Sequence, residues 1–141
     1  GVLARTGENG LTGVDISTRP HPGFPTDMQA QFMVLMCCAQ GSGLVEENIF
    51  ENRFMHAREM VRMGASIRIE DRIALVSGGH PLGGTSVTST DLRGGAALTL
   101  AGLKAQGETQ VDGAELIDRG YEHLEDKLCS LGAEIRREKF E

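Results

Sequence analysis

The chain has no tryptophan, one tyrosine and few aromatic residues of any kind. Binding by stacked aromatic platforms, as single-stranded nucleic acid readers use, has little material here. It has no excess of positive charge: 14 Lys and Arg stand against 20 Asp and Glu, for a net charge of -6. That removes the electrostatic case for nucleic acid or an anionic membrane as partner. Long apolar runs are missing. The longest, 32–39, has eight residues, where a membrane span needs about 20. Cysteine is sparse, with Cys37, Cys38 and Cys129 only. An odd count, a vicinal pair and no C-x-x-C spacing argue for reduced thiols in a cytosolic compartment. His21, His56, His80 and His123 are scattered and offer no metal-ligand spacing. No G-x-x-x-x-G-K-[ST] phosphate loop surrounds Gly83-Gly84 or Gly94-Gly95. No secretory signal is visible, and the chain opens at Gly1 without Met. A fragment or processed chain is the expectation.

What remains is an ordinary globular composition, 40% hydrophobic and 24% charged, in 141 residues that fit one domain. The cations are unevenly chosen: 11 are Arg and 3 are Lys. Arg forks onto phosphate and carboxylate, so individual arginines are worth following.

Self-comparison organises the chain. Thr26-Asp27-Met28 recurs as Thr90-Asp91-Leu92. Ala39-Gln40-Gly41 recurs as Ala105-Gln106-Gly107. Arg53 lines up with Arg119, and Met63-Gly64-Ala65 with Leu131-Gly132-Ala133. The anchors keep their order and a slowly drifting offset, so two copies of one unit are expected, about 14–77 and 85–141. Each copy opens with a Thr-Asp pair at a helix start, runs to a Gly, and continues strand, helix, Gly cap, strand. The expected strands are 43–50, 66–70, 73–77, 85–88, 108–112 and 134–137. The expected second helices are about 56–63 and 119–131. The first helices, 32–39 and 96–103, are apolar nearly all round and should be buried. Tyr121, Leu124, Leu128 and Leu131 form one stripe and should lie against a sheet. The fold class is α/β, with repeated βαβαββ units, buried helices inside and sheets outside.

Thr26 and Gln29 have the spacing of a capping box, which puts Asp27 in the first helical turn. There the helix dipole favours an anion. Helix stabilisation alone would account for Asp27 and for Asp91. Arg53 and Arg119 both open a second helix, a placement unfavourable by up to ~1 kcal/mol. Arg93 has the same problem. A repeated unfavourable cation points to anion binding; the alternative is a surface pair with Glu51 or Asp118. Gly94-Gly95 should weaken its helix start by about 1–2 kcal/mol. The cysteines and Met33, Met36, Met60 and Met63 read as core filler.

The segments PHPGFPTDMQAQF, FENRFMH, STDLR, AGLKAQGET and DRGYEHLEDKLCSLGA resemble successive signatures of the bacterial UDP-N-acetylglucosamine 1-carboxyvinyltransferase family, from about Val14 to the end. That resemblance implies an enolpyruvyl transferase fold, an inside-out α/β barrel of three such units per domain. Two units are here, so one unit and the other domain would be absent. It implies transfer of the enolpyruvyl group of phosphoenolpyruvate to the 3-hydroxyl of UDP-N-acetylglucosamine, the first committed step of peptidoglycan synthesis, in a bacterial cytoplasm. No cofactor and no metal are implied. Asp27 would contact the sugar 3-hydroxyl, with Asp91 near the reacting centre. Ile49 and Phe50 would meet the uridine nucleotide. Arg93 and Arg119 would handle phosphoenolpyruvate, with Arg53 in the same group. A carboxylate at a helix start is a weak base, so Asp27 reads better as a hydrogen-bond acceptor than as a proton abstractor. The family's reactive cysteine lies on the other domain, so this chain should need the N-terminal part of the same enzyme as its partner. Two other readings compete: the sister enzyme acting on shikimate 3-phosphate, and a non-catalytic binding or scaffold module.

Overall fold

A helix with no polar face has to sit between other layers, and this requirement shapes the molecule. The computed structural model describes residues 1–139; the last two residues of the second copy lie outside them. In chain order the elements are β1 (Ile16–Ser17), a 3-10 turn (Thr26–Met28), α1 (Gln29–Cys38), β2 (Ser42–Glu46), α2 (Met55–Arg62), β3 (Ser66–Glu70), β4 (Ile73–Ser77), β5 (Ser86–Thr88), α3 (Leu92–Lys104), β6 (Gln110–Asp112), α4 (Ala114–Asp118) and α5 (Leu124–Ser130). This is a mixed α/β chain. One sheet has the order β1-β2-β4-β3, with β1 parallel to β2 and the other pairs antiparallel. The other is the parallel pair β5-β6.

The two apolar helices pack against each other, and α3 also meets α2 and α4. Met33, Met36 and Cys37 of α1 and Ala97, Leu98 and Ala101 of α3 join one core. β2 and β4 alternate strictly. Val45, Ala74 and Val76 turn inward, while Leu44, Ile73 and Leu75 are exposed on the outer face. The sheet therefore covers the helices on one side only. Burial, then the neighbouring Cys38, pushes the Cys37 thiol up to about 12, so it packs as an inert hydrophobe. All three cysteines are free. Among the described residues no helix is long and apolar enough to cross a membrane.

Paired segments of the two copies share backbone detail. Ala39 and Ala105 end their helices extended, and Gly41 and Gly107 follow at φ 81° and 84°. Gly64 and Gly132 take φ 101° and 96°. Behind each, Ala65 donates to the Met60 carbonyl and Ala133 to the Leu128 carbonyl, closing the same αL helix end. The likeness also reaches a segment without an obvious sequence signal. Leu11 to Gly13 bonds Gln40 as Leu82 to Gly84 bonds Gln106.

β5 pairs in parallel with β6, as β1 pairs with β2. Elsewhere the copies differ, and three expectations need correction. The helix expected at 119–131 is two short helices, broken where Gly120 packs on Leu92 and His123 turns left-handed at φ 47°. The stretch 134–137 forms no strand, because no described neighbour offers it a ladder. The stripe 121–131 consequently lies on no sheet, and Leu131 is 84% exposed.

Gly94 and Gly95, at the start of α3, are both buried. A Cβ on Gly95 would come within 2.6 Å of Ser89 Oγ and 2.7 Å of Ile117 Cγ1. On Gly94 the nearest approach would be 3.0 Å, to Thr90 Oγ1. The weak helix propensity is offset by close packing of α3 on its neighbours. Gly95→Ala is expected to destabilise the chain by about 1–2 kcal/mol, the overpacking cost less the propensity gain. Gly94→Ala should cost less, and paired urea titrations compare them.

Candidate functional site

Three chain segments converge at the N-terminal ends of α1 and α3. The first is the 3-10 turn carrying Asp27. The second is the loop from Glu47 to Arg53, between β2 and α2. The third is the start of α3, with Asp91 and Arg93. His56, in the first turn of α2, closes the floor. Thr26, Gln29, Arg53, His56, Asp91 and Arg93 surround a hollow of about 10 Å³. Beside it, Phe50, Arg53, Asp71 and Arg72 line a cleft of about 200 Å³.

The repeated Thr-Asp dipeptide does two different jobs. Asp91 is the N-cap of α3 and accepts from the Gly94 N–H at 2.6 Å. The capping box expected of Thr26 and Gln29 does not form. Thr26 Oγ1 instead donates to Glu47 Oε1 at 2.7 Å, and Gln29 Nε2 donates to the same oxygen at 3.2 Å and to the Arg53 carbonyl at 3.3 Å. Asp27 is left at the surface, 58% exposed, where its Oδ1 meets Arg93 Nε at 2.9 Å. That contact answers the dipole problem of Arg93: a cation in the first turn of α3 is held by an anion from the turn before α1. It joins the starts of the two helices across the site.

Arg53 lies over the Phe50 ring, 4.3 Å from its centroid, two residues before α2. It makes no pair with Glu51 among the described contacts. Ile49 and Phe50 are exposed at the lip. Arg119 corrects the sequence argument. It is the C-cap of α4, where the dipole favours a cation, so its placement there is not unfavourable. It is exposed, lines neither hollow, and its neighbour Asp118 is taken by Arg137 at 2.6 Å. The structure thus gathers Asp27, Asp91, Arg93 and Arg53 and sets Ile49 and Phe50 beside them; Arg119 lines neither hollow, while the next residue, Gly120, packs on Leu92 at the start of α3.

Two residues of this corner carry more than the sequence reading gave them. Glu47 is 2% exposed, yet its carboxyl is held below the usual glutamate range. Burial alone would raise its pKa, but hydrogen bonds from Thr18, Thr26, the Ile49 N–H and Gln29 outweigh that and lower it. His56 is also 2% exposed, and among the described residues its Nε2 has no hydrogen-bond partner. Burial brings it down to about 4, with Asp91 opposing the shift and Arg53 adding to it. Both had a signal. Glu47 follows Gly43 and Val45 on the inward period of β2. His56 shares the buried face of α2 with Met60. Among the described residues no group of His, Cys, Asp or Glu is placed to hold a metal ion.

A charged rim of two arginines and two carboxylates, at helix starts and beside an open cleft, can bind an anion and orient a hydroxyl. Comparison with known proteins narrows this. The profile described as EPSP synthase (3-phosphoshikimate 1-carboxyvinyltransferase) matches residues 2–128. A UDP-N-acetylglucosamine 1-carboxyvinyltransferase of Oleidesulfovibrio alaskensis is 61% identical over 127 residues, 90% of this chain and 30% of the relative. That of Pseudoalteromonas atlantica is 60% identical over 129 residues, 92% of this chain and 31% of the relative. The solved enolpyruvyl transferase NikO from Streptomyces tendae superposes with a TM-score of 0.82 at 32% identity, over 89% of this chain and 29% of that one. An EPSP synthase from Acinetobacter baumannii shares the fold, with a TM-score of 0.65 at 21% identity, over 79% of this chain and 27% of that one. The chain spans about a third of the length of the curated relatives it matches.

Proposed function

The chain belongs to the EPSP synthase (3-phosphoshikimate 1-carboxyvinyltransferase) family, and on that premise we propose that it forms part of a cytoplasmic enzyme moving the enolpyruvyl group of phosphoenolpyruvate to the 3-hydroxyl of UDP-N-acetylglucosamine. Its two repeated units belong to one three-unit domain, and the rest of the active site comes from a partner part of the same enzyme. The product feeds peptidoglycan synthesis.

The observation that carries this reading is the Asp27–Arg93 contact across two helix starts. It puts a hydroxyl acceptor and a phosphate fork within one side-chain length. In the reaction the sugar oxygen adds to the central carbon of phosphoenolpyruvate while a proton adds to its methylene carbon, giving a tetrahedral intermediate, and the hydroxyl proton is released. Loss of phosphate together with a proton from the new methyl group restores the carbon–carbon double bond. Asp27 accepts a hydrogen bond from that hydroxyl and orients it. The guanidiniums of Arg93 and Arg53 suit the phosphate and carboxylate and steady negative charge on the tetrahedral intermediate. Asp91 holds the start of α3 in place through Gly94, beside the reacting centre. Ile49 and Phe50, on the exposed lip, meet the uridine nucleotide. Arg119, at the end of α4, joins Arg93 and Arg53 in handling phosphoenolpyruvate. The sugar-nucleotide acceptor is favoured over shikimate 3-phosphate because relatives named for the former are about 60% identical. EPSP synthase itself is similar at the level of the fold.

Titrating the isotope-labelled chain with each acceptor separates the two. UDP-N-acetylglucosamine is expected to shift the amides of Asp27, Ile49 and Phe50, with shikimate 3-phosphate leaving them in place. The opposite preference would reject the sugar nucleotide.

A further inference from the structure

Glu47 is an expensive residue to keep. Burying a carboxylate costs several kcal/mol even after relaxation, and an apolar side chain of similar volume would avoid that cost. No cation among the described residues makes a hydrogen bond or ion pair with it. Its four donors are neutral and come from different parts of the chain. Oε1 accepts from Thr26 Oγ1 at 2.7 Å and Gln29 Nε2 at 3.2 Å. Oε2 accepts from Thr18 Oγ1 at 2.6 Å and the Ile49 N–H at 3.0 Å. Thr18 Oγ1 in turn accepts from the Asn48 N–H at 2.8 Å.

The addresses of these donors matter. Thr26 precedes Asp27, and Ile49 precedes Phe50. Gln29 spends its second amide hydrogen on the Arg53 carbonyl. One carboxylate is therefore bonded directly both to the turn that carries Asp27 and to the loop that carries Ile49 and Phe50. An apolar replacement could fill the volume, but it could not fix the Asp27 turn and the Ile49 loop at a set distance.

We propose that Glu47 is a positioning residue, whose two oxygens hold the Asp27 turn and the Ile49–Phe50 loop in the register that a sugar nucleotide spans. This rests on the function proposed above for the ligand, and on the structure alone for the clamp.

Glu47→Gln keeps the shape but sets an amide N–H₂ against donors. In the labelled chain, the Ile49 amide proton is expected to move upfield. Amides at 26–29 and 48–50 should exchange at least ~10-fold faster, the loss of one hydrogen bond to a charged group, with β4 unchanged. In a full-length relative whose matching segment is replaced by this chain, KM for UDP-N-acetylglucosamine should rise ~10-fold while KM for phosphoenolpyruvate stays within about 2-fold. A purely structural role would lower the active fraction and leave both KM values alone. Unchanged amides, or KM values that move together, overturn the proposal. If Glu47→Gln does not fold, Thr26→Val removes a single donor and must raise the sugar-nucleotide KM selectively. An unsubstituted hybrid that ignores UDP-N-acetylglucosamine rejects the functional reading instead, and the amide measurements then decide the clamp.

Discussion

Asp27→Ala in a full-length enzyme carrying this chain is expected to lower kcat/KM by ~30-fold or more, a loss of about 2 kcal/mol of transition-state stabilisation. The stability should hardly change. The Asp27 side chain is 58% exposed, and its pairing with Arg93 is solvent-screened; such pairs contribute about 0–1 kcal/mol. Loss of rate without loss of fold would separate a substrate contact from a helix-start residue, which is how Asp27 reads on spacing alone. Asp27→Asn sharpens the result. Asparagine keeps an acceptor oxygen but has no basicity. If Asp27 orients the hydroxyl, Asp27→Asn retains a good part of the rate. If it removes the proton, Asp27→Asn falls as far as Asp27→Ala. Unchanged turnover in Asp27→Ala would remove the residue from the site.

Acid should weaken the chain well above the carboxylate range, and His56 is the reason. Its folded-state pKa is about 4, chiefly through burial, against about 6.5 in an unfolded chain. Above pH 6.5 both states are neutral there and the full stability is present. As pH falls below 6.5 the unfolded chain takes up a proton that the folded one refuses. Stability drops until pH approaches 4, by about 3 kcal/mol in all. Asp91 favours the charged ring and Arg53 opposes it, and both are already contained in that value. Glu47 adds a second loss in the same direction, starting lower. Its folded pKa is depressed, so its contribution is present above the unfolded glutamate value and goes as pH falls through the folded one. Urea titrations at pH 7.5, 6 and 5 check this. His56→Gln should flatten the profile between pH 6.5 and 5. An equally steep profile in His56→Gln would place the acid sensitivity elsewhere.

The features legible in the sequence are those written in local chemistry. Gly41 and Gly107, and Gly64 and Gly132, stand where the chain turns left-handed, a backbone that glycine adopts without strain, so the two copies could be aligned by these glycines. The apolar helices announced their own burial. What escaped was set by residues far apart in the chain. Thr26-Asp27 and Thr90-Asp91 are the same dipeptide, but Glu47 captures the Thr26 hydroxyl from 21 residues away and Asp27 turns to the surface, where it meets Arg93. Among the described residues no such acid competes in the second copy, and Asp91 caps its helix. Propensity could not foresee the break at Gly120 and His123, because Gly120 is shaped by its contact with Leu92. The helix-dipole reasoning for Arg119 fails because one helix ends there, where the next was expected to begin. Glu47 and His56 were within reach: each is a polar residue on an inward period, the pattern that flags a buried polar group.

Once the remainder of the active site is supplied, this corner of the molecule is expected to support turnover. The direct measurement replaces the matching third of the Oleidesulfovibrio alaskensis relative with this chain and follows phosphate release from phosphoenolpyruvate. Release that requires UDP-N-acetylglucosamine, and that falls with Asp27→Ala, is the predicted result. A folded hybrid that releases no phosphate with UDP-N-acetylglucosamine, or releases it only with shikimate 3-phosphate, would contradict the account.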